Sequence, residues 1–208
     1  MAEMVRPLHL TLIRHGPSVH EEGCLPPADP EADMSDIAAF ERLAGLLPAD
    51  ATWWVSPLRR TRMTADALIA AGAHPGEMIT APMLKEQDYG TWHGRPVAEI
   101  WEEIKDGPLT PFHFLHPSVT PPGGESFDQL WARVAELRQS IEKTREDHLV
   151  LIGHAMIFRA LIGQAMGLDA ERALAFGISP LSMSRITFIR PQGESRGSWM
   201  LDQLNVPA

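Results

Sequence analysis

The stretch LHLTLIRHGP, residues 8–17, decides the fold prediction, because a short run of strand-forming residues ends abruptly in Arg14, His15 and Gly16. In α/β proteins, ligands bind where strands end at their carboxyl edge. Gly16 lets the backbone turn away there without a Cβ clash. Arg14 offers a charged fork suited to phosphate, and His15 can act as nucleophile, base or ligand. Taken alone, these residues are equally consistent with a structural ion pair or a surface turn.

Length and composition limit the class of protein. The chain has 208 residues, 44% of them hydrophobic, which suits one sizeable core and one domain over residues 1–208. The single cysteine, Cys24, permits no intrachain disulfide. A net charge of −9 argues against nucleic-acid binding through a basic face. Without a signal-peptide pattern at its start or an apolar run of about 18 residues, the sequence predicts a cytoplasmic protein with no membrane partner.

Alternating strand and helix patterns predict an α/β fold with a largely parallel sheet covered on both faces. After the first strand, further strands are predicted at 52–56, 79–84, 148–152, 184–189 and 198–204, the last two as a hairpin around 192–197. Helices are predicted from about residue 36 to 47, from 57 to about 71, and over 97–104, 127–146 and 155–165.

Two of these helices show an apolar stripe. In the first, the residues assigned to the inner face are Ile37, Phe40, Leu43, Leu46 and Leu47. In the long helix over 127–146, they are Leu130, Val134, Leu137 and Ile141.

The segment at about 106–124 is irregular and contains five prolines. It also holds two phenylalanines and two histidines, Phe112, His113, Phe114 and His116. A loop this long in a compact domain is more often functional than filler, so we interpret it as a lid-like insertion. We expect no metal site, because a helix broken at Pro111 and Pro117 cannot hold two histidines on one face.

A second strand end also leads into basic residues, because the helix after residue 56 begins with Arg59, Arg60 and Arg62. Helix N-termini carry partial positive charge and free N–H groups that suit anions. Consecutive helical positions point about 100° apart, so the three arginines cannot all converge. For two of the three, a solvated helix face is the expected role.

Four predicted strands thus end in polar residues: Arg14 with His15, an arginine near position 60, Glu86, and Gly153 with His154. In a parallel sheet these ends share an edge, although a surface carboxylate explains Glu86 equally well in isolation. Two imidazoles, two guanidiniums and one carboxylate suit a phosphoryl group. The guanidiniums would neutralise its oxygens, one imidazole would attack phosphorus, and the carboxylic acid would protonate the leaving oxygen.

The motifs resemble those of the histidine phosphatase superfamily, which contains cofactor-dependent phosphoglycerate mutase and many small phosphatases. LIRHG at 12–16 is similar to the signature of the superfamily. Four further segments agree in order, namely SPLRRTRMTA at 56–65, LKEQDYGTWHG at 84–94, PGGES at 122–126 and LIGHAMIFRAL at 151–161. The overall pattern is most similar to the phosphatase branch, including alpha-ribazole and broad-specificity phosphatases.

The resemblance implies a single-domain, three-layer α/β/α sandwich and a mechanism without metal or cofactor. His15 would be the nucleophile that forms a phosphohistidine, and Glu86 would protonate the leaving group and then activate water. The groups implied to hold the phosphoryl oxygens are the side chains of Arg14, Arg60 and His154 and the backbone N–H of Ala155. Among the three neighbouring arginines, the motif selects Arg60 over Arg59 and Arg62.

Two positions depart from the pattern of the superfamily. Glu21 stands where an asparagine often contacts phosphate, so we expect this loop to take another course. Ala155 replaces the glycine that often follows the second histidine, which keeps the backbone N–H.

The sequence favours a phosphomonoester hydrolase with a small phosphorylated substrate and inorganic phosphate as product. Phosphoglycerate mutase is the first alternative, although only Arg95 and Lys105 are basic between residues 90 and 126. A non-catalytic module that binds phosphate or phosphohistidine is the second. An apolar or ring-bearing leaving group is suggested by Trp92, Trp101, Phe112 and Phe114, which core packing explains almost as well. The sequence is compatible with either a monomer or a homodimer.

Overall fold

The computed structural model describes residues 6–111, 116–191 and 197–208. The strands are β1 Leu8–Arg14, β2 Thr52–Val55, β3 Glu77–Thr80, β4 His148–Gly153, β5 Ser182–Ile189 and β6 Ser198–Pro207. The helices are α1 Ile37–Leu46, α2 Arg59–Ala70, α3 Val97–Ile104, α4 Phe127–Lys143, α5 Ala155–Ala165 and α6 Ala170–Ala173. Two short 3-10 helices lie at Pro82–Leu84 and Gly90–Trp92.

The six strands form one sheet in the order β3-β2-β4-β1-β5-β6. The first four run parallel, and β5 and β6 close the sheet antiparallel. The parallel register pairs Arg14 with Gly153 and Val55 with Ile152. The predicted mostly parallel sheet is therefore confirmed, and β1, β2 and β4 end side by side at one edge.

Helices cover both faces of the sheet, which confirms the three-layer prediction. On one face, α1 and α2 pack on alternate residues of the central strands, such as Ile13 and Ile152. On the other face, α4 and α5 pack on Leu12 and Leu151. The predicted stripe of α4 is fully buried, and it consists of Leu130, Val134, Leu137 and Ile141.

Three details of the prediction were wrong. Ile37 and Leu46 of α1 are exposed, because the helix buries Ala39 and Ala44 beside Phe40 and Leu43. The strand predicted at 79–84 ends at Thr80 and gives way to a 3-10 helix, which Pro82 favours since it has no N–H for a ladder. The short helix α6 was not predicted at all.

Some predictions lie outside the described residues. Phe112, His113 and Phe114 of the 106–124 segment do so, as does most of the turn between β5 and β6. Within the described ranges, no helix is long and apolar enough to cross a membrane. The same ranges contain no group of three or more His, Cys, Asp or Glu side chains arranged to hold a metal ion.

Candidate active site

His15 directly follows β1 and is only 4% exposed. Its Nδ1 lies 2.6 Å from the carbonyl oxygen of Gly16, and its Nε2 lies 3.2 Å from Nε of Arg60, which donates to it. A carbonyl accepts only, so the hydrogen-bond network assigns the ring proton to Nδ1. The lone pair of the neutral ring is therefore on Nε2.

The pKa of His15 is lowered to about 3, first by burial and then by the positive charges of Arg60 and Arg14. Both effects disfavour the imidazolium form. At neutral pH the ring is thus uncharged, and Nε2 is the ring nitrogen with nucleophilic character.

His154 follows β4, starts α5 as its N-cap residue and is fully buried. Its ring centroid lies 5.0 Å from that of His15. Nε2 is 2.7 Å from Oγ of Ser56, the first residue after β2. Nδ1 is buried with no hydrogen-bond partner among the described residues. Burial is the main reason that the pKa of His154 is lowered, and nearby His15 and Arg60 add to it.

Of the three arginines at the start of α2, Arg60 alone reaches this edge. It is 6% exposed, donates to His15, and lies 4.0 Å from the carboxylate of Asp29. Arg59 pairs with Glu31 at the surface, and Arg62, also exposed, donates to Thr80. This is the divergence expected from helical geometry.

Arg14 lies at the end of β1, next to His15. It donates through Nη1 to the carbonyl oxygen of Ile178, whereas its Nε is buried with no partner among the described residues. Burial lowers its pKa, and Arg159 and Arg60 lower it further. The site thus concentrates cations whose N–H groups are not fully used.

Glu86 lies two residues beyond the 3-10 helix that follows β3. Its two carboxylate oxygens accept from the backbone N–H groups of Gln87, at 3.0 Å, and of Met156 in the first turn of α5, at 3.2 Å. The carboxylate is therefore held at the N-terminus of the helix that begins after His154.

A half-buried pair between Arg133 of α4 and Glu125, just before that helix, supports the Glu86 loop. Arg133 binds both carboxylate oxygens of Glu125, at 2.8 and 2.9 Å. The same guanidinium donates to the backbone carbonyls of Met83, Lys85 and Glu86. Bidentate pairs of this kind fix geometry as well as charge.

Two glycines let the Glu86 loop and the 122–126 segment cross in close contact. A Cβ at Gly90 would lie 2.1 Å from the carbonyl oxygen of Pro122, and one at Gly124 would lie 2.4 Å from that of Asp88. Gly90 also has a φ of +53°. Glycine is thus required at both positions of this crossing.

These groups surround a cavity of about 280 Å³. The predicted residues in its wall are Arg14, His15, Arg60, Glu86 and Ala155. His154 is not among the residues of the wall; it is fully buried, with its ring 5.0 Å from that of His15. Sequence reasoning missed other wall residues, notably Tyr89, Arg159, Gln87 and His93.

The missed residues had weak sequence signals. Tyr89 follows Glu86 within the same motif, and its pKa is raised by burial and by the charge of Glu86. Arg159 is four residues after Ala155 and so lies on the same face of α5. Ser56 was quoted only as part of the second strand and its motif, although its place after β2 orients His154.

The structure also shows where Glu21 and the two tryptophans, Trp92 and Trp101, lie relative to the cavity. Glu21 is exposed and is not in the cavity wall, so its carboxylate does not line the site. Trp92 is buried against Ile100 and Ile104, and Trp101 is 40% exposed; neither lines the cavity. The two tryptophans therefore give no support to a ring-bearing leaving group.

The fold and cavity define an α/β protein with a cationic, histidine-containing site at the carboxyl edge of its parallel strands. The sequence profile described as "Histidine phosphatase superfamily (branch 1)" matches residues 10–198. The chain belongs to this superfamily, which confirms the resemblance.

Two curated relatives are similar to this chain at about 30% sequence identity. The bifunctional protein Rv2228c of Mycobacterium tuberculosis is 31% identical over 176 residues, covering 82% of this chain and 47% of the relative. Phosphoserine phosphatase 1 of Hydrogenobacter thermophilus is 30% identical over 132 residues, covering 63% and 61%. The chain thus spans about half to three-fifths of these relatives. The structure of a putative alpha-ribazole-5'-P phosphatase from Escherichia coli matches with a TM-score of 0.74 at 19% identity, covering 97% and 98%, which shows a shared fold.

Proposed function

We propose that this chain is a phosphomonoester hydrolase that acts on a small organic phosphate through a phosphohistidine on His15. The observation that carries this proposal is the neutral His15 ring, whose Nε2 lone pair lies among buried cations. Such a nitrogen is available to attack phosphorus, and the arginines offset the charge of the phosphoryl oxygens.

Two unused donors support an anionic ligand beside His15. Nε of Arg14 and Nδ1 of His154 are buried without partners in the described part of the chain. Buried polar groups are normally paired, and leaving one unpaired costs about 1–3 kcal/mol. The hydroxyl of Ser56 can donate to Nε2 of His154, which leaves a proton on Nδ1 for a phosphoryl oxygen. The backbone N–H of Ala155 is a further donor in the wall.

The first step forms the bond between Nε2 of His15 and phosphorus and breaks the ester P–O bond. The electron pair goes to the leaving oxygen, which takes a proton from Glu86. In the free protein, Arg60 Nε–H donates a hydrogen bond to the lone pair on Nε2 of His15, and in the first step the same N–H would donate to a phosphoryl oxygen instead, with Arg60 keeping its proton.

The second step releases the product. Glu86, now a carboxylate, takes a proton from water, and the water oxygen attacks phosphorus. The P–N bond breaks, its electron pair returns to Nε2 of His15, and inorganic phosphate leaves. No metal or cofactor takes part in either step.

The names of relatives support a small phosphorylated substrate, since the Hydrogenobacter protein is called a phosphoserine phosphatase. Phosphoglycerate mutase is less well supported. A mutase needs basic residues to hold a bisphosphate, and the two in the 90–126 segment, Arg95 and Lys105, are paired with Glu103 and Glu102 and are not in the cavity wall. A non-catalytic binding module would have no need of Glu86.

Release of inorganic phosphate from a panel of phosphomonoesters tests the proposal. We expect multiple turnovers by the wild-type chain without a bisphosphate primer, and none by His15→Ala, which should still fold because a strand-end side chain is removed. Isomerisation of phosphoglycerate that depends on a primer, with little free phosphate, would indicate a mutase instead. Phosphate binding without turnover would indicate the non-catalytic module.

A further inference from the structure

A third arginine of the cavity wall, Arg159, is not used by the chemistry above. Its Nε donates to the carbonyl oxygen of Phe176 at 2.8 Å, and its Nη1 lies 3.4 Å from Sδ of Met156. Nη2 has no hydrogen bond, and the guanidinium has no ion pair, among the described residues. The side chain is therefore anchored at one edge and free at the other.

The charge of Arg159 is not balanced within the site. The wall contains three guanidiniums, those of Arg14, Arg60 and Arg159, and one carboxylate, that of Glu86. Asp29 lies outside the wall, 4.0 Å from Arg60. A phosphoryl dianion offsets Arg14 and Arg60. Glu86, the one carboxylate of the wall, is uncharged in the first step because it carries the proton for the leaving group, so Arg159 then has no counter-charge. A partly buried cation in this position favours a second negative group on the ligand.

The position of Arg159 limits the length of the ligand. Arg159 follows Ala155 by one helical turn on the same face of α5, and both residues line the same cavity of about 280 Å³. A ligand that places its phosphoryl group beside His15 and a second anionic group at Arg159 within this cavity has a short carbon chain. A carboxylate matches the planar fork of a guanidinium, and its single charge balances the one unpaired cation.

We propose that Arg159 binds a carboxylate of the substrate, so that the preferred substrates are phosphate esters of small hydroxy or amino acids. This inference rests on the proposed function. Tyr89 adjoins Arg159 in the same wall and would pack against the short carbon chain. The hydrogen bond from Arg159 Nε to the Phe176 carbonyl fixes the guanidinium before the substrate binds. Less side-chain conformational entropy is therefore lost on binding.

Matched esters that differ in the carboxylate alone test the inference. The first pair is 3-phosphoglycerate and glycerol 3-phosphate, and the second is O-phosphoserine and O-phosphoethanolamine. We expect kcat/KM of the wild-type chain, measured by phosphate release, to favour the carboxylated member by about 10- to 100-fold, as for a hydrogen bond to a charged group.

Three variants separate recognition from structural support. Arg159→Met should reduce the preference to within about threefold, and Arg159→Lys should retain part of it because it keeps the charge. Arg172→Met changes an exposed arginine that pairs with Asp169 away from the cavity, and it should retain the wild-type preference. If Arg159 only supported the fold, Arg159→Met would lower kcat/KM for both members of a pair equally.

The possible results are distinct. Turnover without a preference, or a preference that survives Arg159→Met, overturns the carboxylate inference and leaves the proposed hydrolase standing. If no ester is hydrolysed, the proposed function fails, and the pairs are compared by isothermal titration with the wild-type chain. Equal affinities for the two members would then overturn the inference as well, and a higher affinity for the carboxylated member, lost in Arg159→Met, would support it.

Discussion

The His15 side chain is buried, and burial and the neighbouring cations both keep its ring neutral. The Gly16 carbonyl fixes the proton on Nδ1, and Arg60 lies against Nε2. The same arginine that lowers the pKa of His15 also lies where a phosphoryl oxygen would be bound. In the proposed mechanism, activation of the nucleophile and of phosphorus therefore both depend on the His15–Arg60 pair.

The lowered pKa of His15 predicts acid sensitivity of the fold. The pKa is about 3 in the folded chain and about 6.5 when unfolded, so between these values only the unfolded chain binds the proton. Lowering the pH through this window therefore reduces the free energy of unfolding, by up to about 1.4 kcal/mol per pH unit. Urea denaturation at several pH values should show a shallower decrease in His15→Gln than in the wild type. Equal slopes would contradict the lowered pKa.

The proposed role of Glu86 predicts a dependence on the leaving group. Glu86→Gln retains one acceptor oxygen where Glu86 has two, and the amide cannot supply an acidic proton. It should slow turnover of alkyl phosphates by about 10²–10⁴-fold, because alkoxides need protonation, and slow aryl phosphates much less. Steady-state rates for the two ester classes check this. Equal slowing of both would count against an acid role.

At the scale of elements, the site depends on how loops at the sheet edge are held. β1, β2 and β4 deliver His15, Ser56 and His154 directly, since the backbone ladder continues from His15 N–H to Gly153 and from Ser56 N–H to Ile152. Glu86 has no such support, because β3 ends six residues before it. The Arg133–Glu125 pair on the α4 side replaces that support.

This arrangement predicts that Glu125 positions Glu86 without touching the substrate. Glu125→Gln weakens the bidentate bond to Arg133. Arg133 is then held less firmly against the backbone carbonyls of the Glu86 loop, to which it donates. We expect kcat for alkyl phosphates to fall about tenfold, with KM little changed and faster hydrogen exchange at residues 85–88. Glu136→Gln, a change at an exposed position of α4, is the control. Unchanged exchange and kcat in Glu125→Gln would refute the role.

For the whole molecule, the parallel sheet was predictable because buried strands and helices alternate in the sequence. Arg14 and His15 were found because they directly follow such a strand. Arg159 was missed as a wall residue because helical periodicity does not show which polar face meets a cavity. The exposure of Ile37 was missed because alanines, which α1 buries instead, give little hydrophobic signal. Such features depend on which elements pack together.

The most direct test of the central claim is to trap the covalent intermediate. Wild-type chain mixed with an aryl phosphate and quenched rapidly in base, where phosphohistidine survives, should gain the mass of one phosphoryl group. Peptide mapping should place that group on His15, and acid should release it as inorganic phosphate. Steady phosphate release with no adduct on His15 at any quench time, or with an adduct on another residue, would contradict the account.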